Sequence, residues 1–437
     1  MIKQKMNKIY QNIFIGMGPS TIFSLLKYPQ ENTLIIEKGK SLKDRNEKEI
    51  LYGSGGAGTF SDSKLVNNLY VGGNIKDIIN ITDELFYDLA DQILKYYNYF
   101  DFSFLNNSDW IPEDSYEIPS DKLKLLKSKV CHIGSDRSKK IFRNIEEYLQ
   151  KENEIHFEEE ATIILPVQER LFRIITRYTG TIAGSNEYLT KNVVIAVGKR
   201  SNLVEKIKQQ LNLKSINNKV QLGIRVECPN IYFRDLVEKF YDFKIVMESK
   251  LGRWRTFCVC AKNAYVTVER CNKMVTCNGA AKEGNNKLIN FGIMGELNLN
   301  WGTKEQIKLV QKINNGTNKL LVQNIKDFLK GKNSEKLNFK TSLTEKDYRL
   351  DNLWKYYPTD IIYELKEFIE ELQKIENFNG HLFAPEIKIT NPLIEMDQNF
   401  QIYPNLFLIG DCSGYSRSII QSGIIGMLVG KYLKEKK

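Results

Sequence analysis

The stretch that most constrains this 437-residue chain is its beginning. Residues Ile9 to Ile15 form a short run with β-branched and aromatic members, suited to a buried strand. Gly16-Met17-Gly18-Pro19-Ser20 punctuates it, Ser20 to Tyr28 reads as a helix, and Thr33 to Ile36 as a second apolar strand closed by Glu37. Strand, glycine turn, helix and strand within about 30 residues define a βαβ unit, with parallel strands and a right-handed connection. Gly16 permits the tight turn, and Gly18 lets backbone N–H groups approach a pyrophosphate at the positive helix end. Glu37 can accept hydrogen bonds from ribose hydroxyls, and its charge repels a 2′-phosphate. The predicted ligand is therefore an adenosine ribose of FAD or NAD rather than NADP. Thr21 holds the third position of the fingerprint, where Gly or Ala is usual and helix packs on strand.

Later segments repeat the α/β character. Asp77 to Tyr99 has apolar positions at Ile78, Ile79, Leu85, Leu89 and Ile93, spaced for a helix. A helix is predicted around Lys139 to Lys151, and strands at Glu160 to Leu165, Arg170 to Tyr178 and Val193 to Val197. From Val220 to about Ile293 the extended segments Gly223 to Cys228, Phe257 to Cys260 and Tyr265 to Arg270 predict a mostly antiparallel sheet. Lys304 to Phe328 and Ile361 to Ile375 read as amphipathic helices, and the Lys/Asn-rich Lys330 to Lys340 as a surface loop. Leu406 to Ile409 as strand, Gly410-Asp411, and a last helix over Ile419 to Leu433 close the chain. The expected fold class is α/β. A discontinuous Rossmann-like domain takes 1–220 (with a helical insert at about 76–125) and 381–437, around an inserted α+β substrate domain at 221–380.

Composition narrows the chemistry. Only His132, His156 and His381 are present, which argues against a multi-histidine metal centre, and no metal site is predicted. The cysteines are Cys131, Cys228, Cys258, Cys260, Cys271, Cys277 and Cys412. They are odd in number, form no CxxC, and follow an apolar run too short for a secretory leader. Reduced thiols and a cytoplasmic setting are expected. No run reaches the roughly 18 apolar residues of a membrane span. Lys and Arg exceed Asp and Glu by 63 to 53, a formal +10. That leaves a nucleic-acid partner open, an RNA-associated or tRNA-modifying protein included, although lysine-rich composition accounts for the charge by itself.

Two further segments separate the candidate cofactors. Tyr52 to Leu65, with Gly53-Ser54-Gly55-Gly56-Ala57-Gly58-Thr59, would let a flat ring system approach backbone closely. Leu406 to Asp411 resembles the strand-Gly-Asp signature of flavoproteins, where the Asp takes a ribityl hydroxyl and the next helix points its N-terminus at the flavin. With these in view the chain resembles the uncharacterised FAD-dependent dehydrogenases, relatives of the geranylgeranyl-reductase-type flavoproteins of glutathione-reductase-like topology. Ile36-Glu37-Lys38-Gly39 with Arg45 matches that group's ERG…R segment, and Gly53 to Leu65 its GEGGAGTFSDGKL. His132 to Asp136 matches HIGTD, Gly223 to Glu227 matches GvRiE, and Phe257-Cys258-Val259-Cys260 matches FCMC. Val194 to Ser201 matches a strand-and-glycine segment, Thr276 to Gly279 resembles vTNG, and Gly410 to Gly426 resembles GEGAGYAGGIxSAAxDG. Asp411 stands for a Glu of that pattern, Ala261-Lys262-Asn263 for Pro-Gly-Gly, and Gly414-Tyr415-Ser416-Arg417-Ser418 for GYAGG.

The resemblance implies FAD, hydride or electron transfer through flavin N5, and a small-molecule substrate. It implies a cofactor set of Gly16, Gly18, Pro19, Ser20, Glu37, Lys38, Arg45, Gly55, Gly56, Ala57, Thr59, Ser61, Lys64, Ala161, Gly198, Gly410, Asp411, Ser418 and Ile419. Catalytic candidates are Arg225, His132, Arg417 and Cys258. Arg417 adds positive charge beside the expected flavin and would suit an anionic substrate. Arg225 and Glu227 on one strand read equally as an ordinary sheet-surface pair. Cys258 and Cys260 on one strand face read as core cysteines rather than a redox pair, because an i,i+2 disulfide along a strand is strained. No second GxGxxG has strand context, so NAD(P)H would serve only as a transient electron donor. A flavin monooxygenase is the alternative enzyme, although no WxWxIP-type segment is present.

Overall fold

A computed structural model describes residues 8–46, 52–60, 63–103, 110–111, 117–126, 129–168, 170–180, 183–198, 201–240, 242–261, 263–271, 274–281, 286–388 and 393–436. The chain divides into two compact units. The first comprises Met1–Trp110, Ser128–Ile216 and Leu393–Lys437, and the second Ile111–Lys127 and Asn217–Pro392.

The first unit is built on a parallel sheet in the order Glu154–His156, Thr33–Ile36, Ile9–Ile15, Glu187–Ile195, Leu406–Leu408. Ile13, Phe14, Leu34, Ile35, Val193 and Val194 are all completely buried, as strands covered on both faces require. An antiparallel hairpin, Glu159–Gln168 with Leu171–Tyr178, joins the edge of Glu187–Ile195. This is the Rossmann-like α/β sheet that the opening βαβ unit predicts. The strand order reverses beside Ile9–Ile15, and sheets of this kind bind ligands at the carboxyl ends of strands at such a reversal. The helix Ile419–Glu435 packs on the helix Pro19–Lys27 at backbone range. A Cβ at Gly426 would lie 1.9 Å from the Ser20 carbonyl oxygen, so only glycine allows this approach.

The second unit holds a sheet in the order Tyr348–Leu350, Leu320–Asn324, His381–Lys388, Val220–Pro229, Leu288–Leu297, Gly252–Cys260, Ile245–Glu248, Leu123–Leu125. It is antiparallel except at Leu320–Asn324 and Tyr348–Leu350. The helix Thr359–Ile375 buries Ile361, Leu365, Phe368 and Leu372 in this unit's core.

Three expectations are corrected here. The segment 76–125 is not one helical insert: a single 3₁₀ turn, Ile75–Asp77, precedes the helix Asp83–Phe100, which Thr82 caps by accepting from Leu85 N, and Leu123–Leu125 is a strand of the second unit. His381–Lys388 does not return to the nucleotide-binding sheet, because its register pairs it with Val220–Pro229 and Leu320–Asn324. Lys304 to Phe328 is not one helix. Its helix ends at Asn314, the left-handed Asn315 and Gly316 stop it, and Leu320–Asn324 is a fully buried strand.

Candidate functional site

A cavity of about 520 Å³ opens at the carboxyl ends of the first unit's parallel strands, a size typical of ligand pockets. Its floor is the first glycine turn. Gly16 has φ +99°, and a Cβ there would strike the Ala196 carbonyl at 2.3 Å. Gly18 faces open space, with nothing within 4 Å of its would-be Cβ. Pro19 opens the helix, so the missing proline N–H costs no helical bond. Thr21 explains the altered third position: its buried hydroxyl donates to Gly16 O at 2.7 Å and braces the turn.

Glu37 is more than a ribose acceptor. Its Oε2 accepts from Met17 N at 2.8 Å, and its Oε1 from Gly39 N at 2.8 Å and Gly53 N at 3.0 Å. A carboxylate has about four lone-pair positions, so three hold the loops together and one remains on a residue that lines the cavity. The second glycine segment docks on the first through Gly55 N to Met17 O at 2.9 Å. Arg45 supports it from behind, donating to Ser54 O at 2.6 Å and Gly56 O at 3.0 Å.

The third wall comes from Gly410, Asp411, Arg417, Ser418 and Ile419. Ser418 caps the last helix by accepting from Gln421 N at 3.1 Å, and its own N–H donates to Gly72 O. Neither this helix nor Pro19–Lys27 carries an acidic residue in its first turn. Two positive helix ends therefore border one cavity, neither offset by an acidic side chain of its own first turn.

Glu159 and Glu160 border the cavity as well. Glu160 accepts from Lys38 Nζ at 2.9 Å. Glu159 belongs to a network with His156, Thr176, Asn186 and Tyr188. Burial opposes ionisation of Glu159, but those hydrogen bonds outweigh it and hold the carboxyl below its ordinary range. The hydrogen bond that His156 donates to Glu159 raises the imidazole against burial, with further help from the charges of Glu159 and Glu154. This network was not anticipated, and the alternation of Glu154 and His156 on a short strand was its one sequence signal.

Of the expected cofactor residues, Gly16, Gly18, Pro19, Ser20, Glu37, Lys38, Gly56, Ala57, Ala161, Gly198, Gly410, Asp411, Ser418 and Ile419 line the cavity. Arg45, Gly55, Thr59 and Lys64 are not in its wall, Arg45 because its guanidinium is spent on loop carbonyls. Ser61 lies outside the described residues. Among the catalytic candidates Arg417 lines the cavity, and His132 ends the strand Lys129–His132.

Arg225 and Cys258 belong to the second unit. Arg225 is no surface residue: it is completely buried, with Nε and Nη2 on the Glu386 carboxylate at 2.9 and 2.6 Å and Nη1 on Asn290 Oδ1 at 2.7 Å. Glu227 is equally buried and accepts from Thr341 and Ser342, so the expected surface pair does not exist. Among the described residues no group of three His, Cys, Asp or Glu could hold a metal ion, and no helix is long and apolar enough to cross a membrane.

No protein-family model matches the chain. A Clostridium beijerinckii protein of uncharacterized function is 22% identical, over 97% of this chain and 80% of its own length. Among solved structures, OxyS anhydrotetracycline hydroxylase from Streptomyces rimosus aligns with TM-score 0.41 and 9% identity over 98% of this chain, which spans 62% of that protein. The p-nitrophenol 4-monooxygenase PnpA from Pseudomonas putida DLL-E4 aligns with TM-score 0.38 and 12% identity, over 98% of this chain and 80% of its own. A flavoprotein/dehydrogenase from Cytophaga hutchinsonii gives 0.37 and 9%, over 98% and 79%.

Proposed function

We propose that this protein is an FAD-dependent oxidoreductase, a dehydrogenase or reductase of a small substrate. The observation that carries the reading is the convergence of two helix N-termini and a backbone-tied carboxylate on one glycine-lined cavity. The donor set fits FAD. Gly16, Gly18 and the start of Pro19–Lys27 suit a diphosphate, and Glu37 retains an acceptor for a ribose while disfavouring a 2′-phosphate. Gly56, Ala57 and Gly58, with Asp411, Ser418 and Ile419, supply the rest of the wall, where small residues leave room for a flat ring.

Bound FAD would supply hydride or electron transfer, and the protein supplies orientation, dryness and electrostatics. Ile15, Ile36, Ala161 and Val197 make the lining apolar. The N-terminus of Ile419–Glu435 stabilises negative charge developing next to it. Arg417 contributes a fixed positive charge that favours an anionic substrate. NAD(P)H acts as a transient donor from solvent.

The test begins with the purified protein: release the cofactor, then record its absorbance and mass. FAD near one per chain is expected, bleaching at about 450 nm on anaerobic mixing with NADH or NADPH. A colourless preparation that cannot be reconstituted with FAD refutes the reading. Reduction that proceeds only with substrate and is followed by oxygen consumption replaces the dehydrogenase with a monooxygenase, the activity named for PnpA. A tRNA mobility shift that fades with salt would favour the RNA-associated alternative.

A further inference from the structure

In the second unit the strand Gly252–Cys260 carries Cys258 and Cys260. On a regular strand, residues i and i+2 stand about 6.6–6.8 Å apart at Cα, the far limit of disulfide geometry. This strand is not regular at that point. Phe257 pairs with Gly292 and Cys260 with Asn290, so three steps on one strand match two on the other. Cys258 absorbs the extra residue in the left-handed region, at φ +51°. The bulge breaks the alternation, and the Cys260 thiol turns back on its neighbour, its sulfur 3.9 Å from the Cys258 carbonyl oxygen.

The surroundings are cationic. Arg225, fixed by Glu386, donates Nη1 to Cys258 O at 3.2 Å, which holds its positive charge beside the Cys258 residue. Lys388 Nζ sits 4.3 Å from the centre of the Phe257 ring, adding a second positive charge next to the pair. Asn290, across the ladder from Cys260, has a buried amide nitrogen with no partner among the described residues. The hydrogen bond from Cys260, with Arg225 and Lys388, outweighs burial and holds the Cys258 thiol well below its ordinary range. Cys260, the donor, keeps its proton. Cys258 is partly exposed and Cys260 buried, which separates an attacking thiol from a resolving one. Cys412, also partly exposed, differs because burial pushes its thiol up to about 12.

We propose that Cys258 and Cys260 form a redox-active dithiol that reduces disulfide-bonded substrates and itself becomes an intramolecular disulfide. The Cys258 thiolate attacks one sulfur of a disulfide RSSR, forming a mixed disulfide and releasing RS⁻. Cys260 gives its proton to that RS⁻ and attacks the Cys258 sulfur, expelling the second RS⁻. Two electrons pass from the protein thiols to RSSR, which leaves as RSH and RS⁻. Arg225 and Lys388 favour the thiolate, and the bulge supplies the ring geometry. The assignment stands independently of flavin in the first unit.

The probe is oxidised glutathione, added to the reduced full-length protein under native conditions, followed by alkylation and peptide mapping. In the wild type, the peptide containing both cysteines loses two hydrogens and resists alkylation, about tenfold faster than any other cysteine reacts. Cys260→Ser accumulates one glutathione on Cys258, and Cys258→Ser does not react at Cys260. A persistent glutathione on wild-type Cys258 with Cys260 still alkylatable overturns the proposal, and so does first reaction at another cysteine. The wild-type map decides the matter even if a variant fails to fold.

Discussion

Gly426→Ala isolates the closest backbone contact in the first unit. The new Cβ would lie 1.9 Å from Ser20 O, 2.7 Å from Ser20 C and 2.9 Å from Ser20 Cα. Ordinary contact begins at 3.4 Å, so the last helix must withdraw by the difference of 3.4 and 1.9 Å, roughly 1.5 Å. The obstacle is backbone, so no side-chain rotation relieves it. Alanine contributes about 1 kcal/mol of helix propensity, against about 1–3 kcal/mol for overpacking. The net loss of stability is therefore up to about 2 kcal/mol. The effect at the cavity is larger, because Ser20 lines it from the first helix and Ser418, Ile419 and Ser422 from the last. A displacement near 1 Å costs up to about 100-fold in positioned interactions, and FAD affinity should fall at least about tenfold. Gly430→Ala is the control: its Cβ would meet Ser24 Oγ at 2.7 Å, a hydroxyl that can rotate, and backbone only at 2.9 Å. The assay is thermal unfolding together with the flavin-to-protein absorbance ratio. Wild-type stability and flavin content in Gly426→Ala would refute the reasoning, as would a greater loss in Gly430→Ala.

Glu37→Gln replaces two acceptor oxygens with one where three N–H groups converge. Urea unfolding should show a loss of about 2–3 kcal/mol, and an unchanged midpoint would remove its loop-holding role. Arg225→Met strands the buried Glu386 and should cost about 3–5 kcal/mol, much of it recovered when Glu386→Leu is added. Calorimetry decides, and additive losses in the double variant would contradict the pairing. The His156 network predicts a pH window. His156 is raised by the Glu159 hydrogen bond against burial, so its contribution is complete below its ordinary value of 6.5 and fades as pH climbs through the higher folded-state value. Glu159 is lowered by its hydrogen bonds against burial, so its contribution is present above its ordinary 4.5 and is lost as pH falls through the lower folded-state value. The stability gap between wild type and His156→Gln should narrow as pH rises from the ordinary 6.5 through the higher folded-state value. A gap that is constant or widens speaks against it.

The first unit was legible because its signals are local: Ile9–Ile15, Gly16, Gly18, Thr33–Ile36 and Glu37 fall within one βαβ unit. The second was not, because its defining contacts are distant. Burial of Arg225 depends on Glu386, and that of Glu227 on Thr341 and Ser342, and neither partner sits at a spacing that periodicity reports. Leu320–Asn324 was lost in the helical pattern before it, although Asn315-Gly316 is a stop signal that could have marked the boundary. The bulge at Cys258 has no signature in residue type, since a cysteine rarely takes a left-handed conformation. Thr21 shows the converse case, a mismatch to the fingerprint that a single hydrogen bond to Gly16 O accommodates.

The sheet order also fixes when the first unit can be finished. Val193–Ile195 pairs on one side with Leu406–Leu408, which is synthesised some two hundred residues later. At about 5–20 residues per second, the ribosome needs roughly 10–40 s to cover that distance. During that interval the nascent sheet has an unpaired edge of Val193, Val194 and Ile195, an apolar template for strand addition. The cavity meanwhile lacks the positive end of its second helix. Cofactor loading therefore waits for that helix, and a pulse-labelled chain should acquire flavin only once the segment beyond Ile409 has left the exit tunnel.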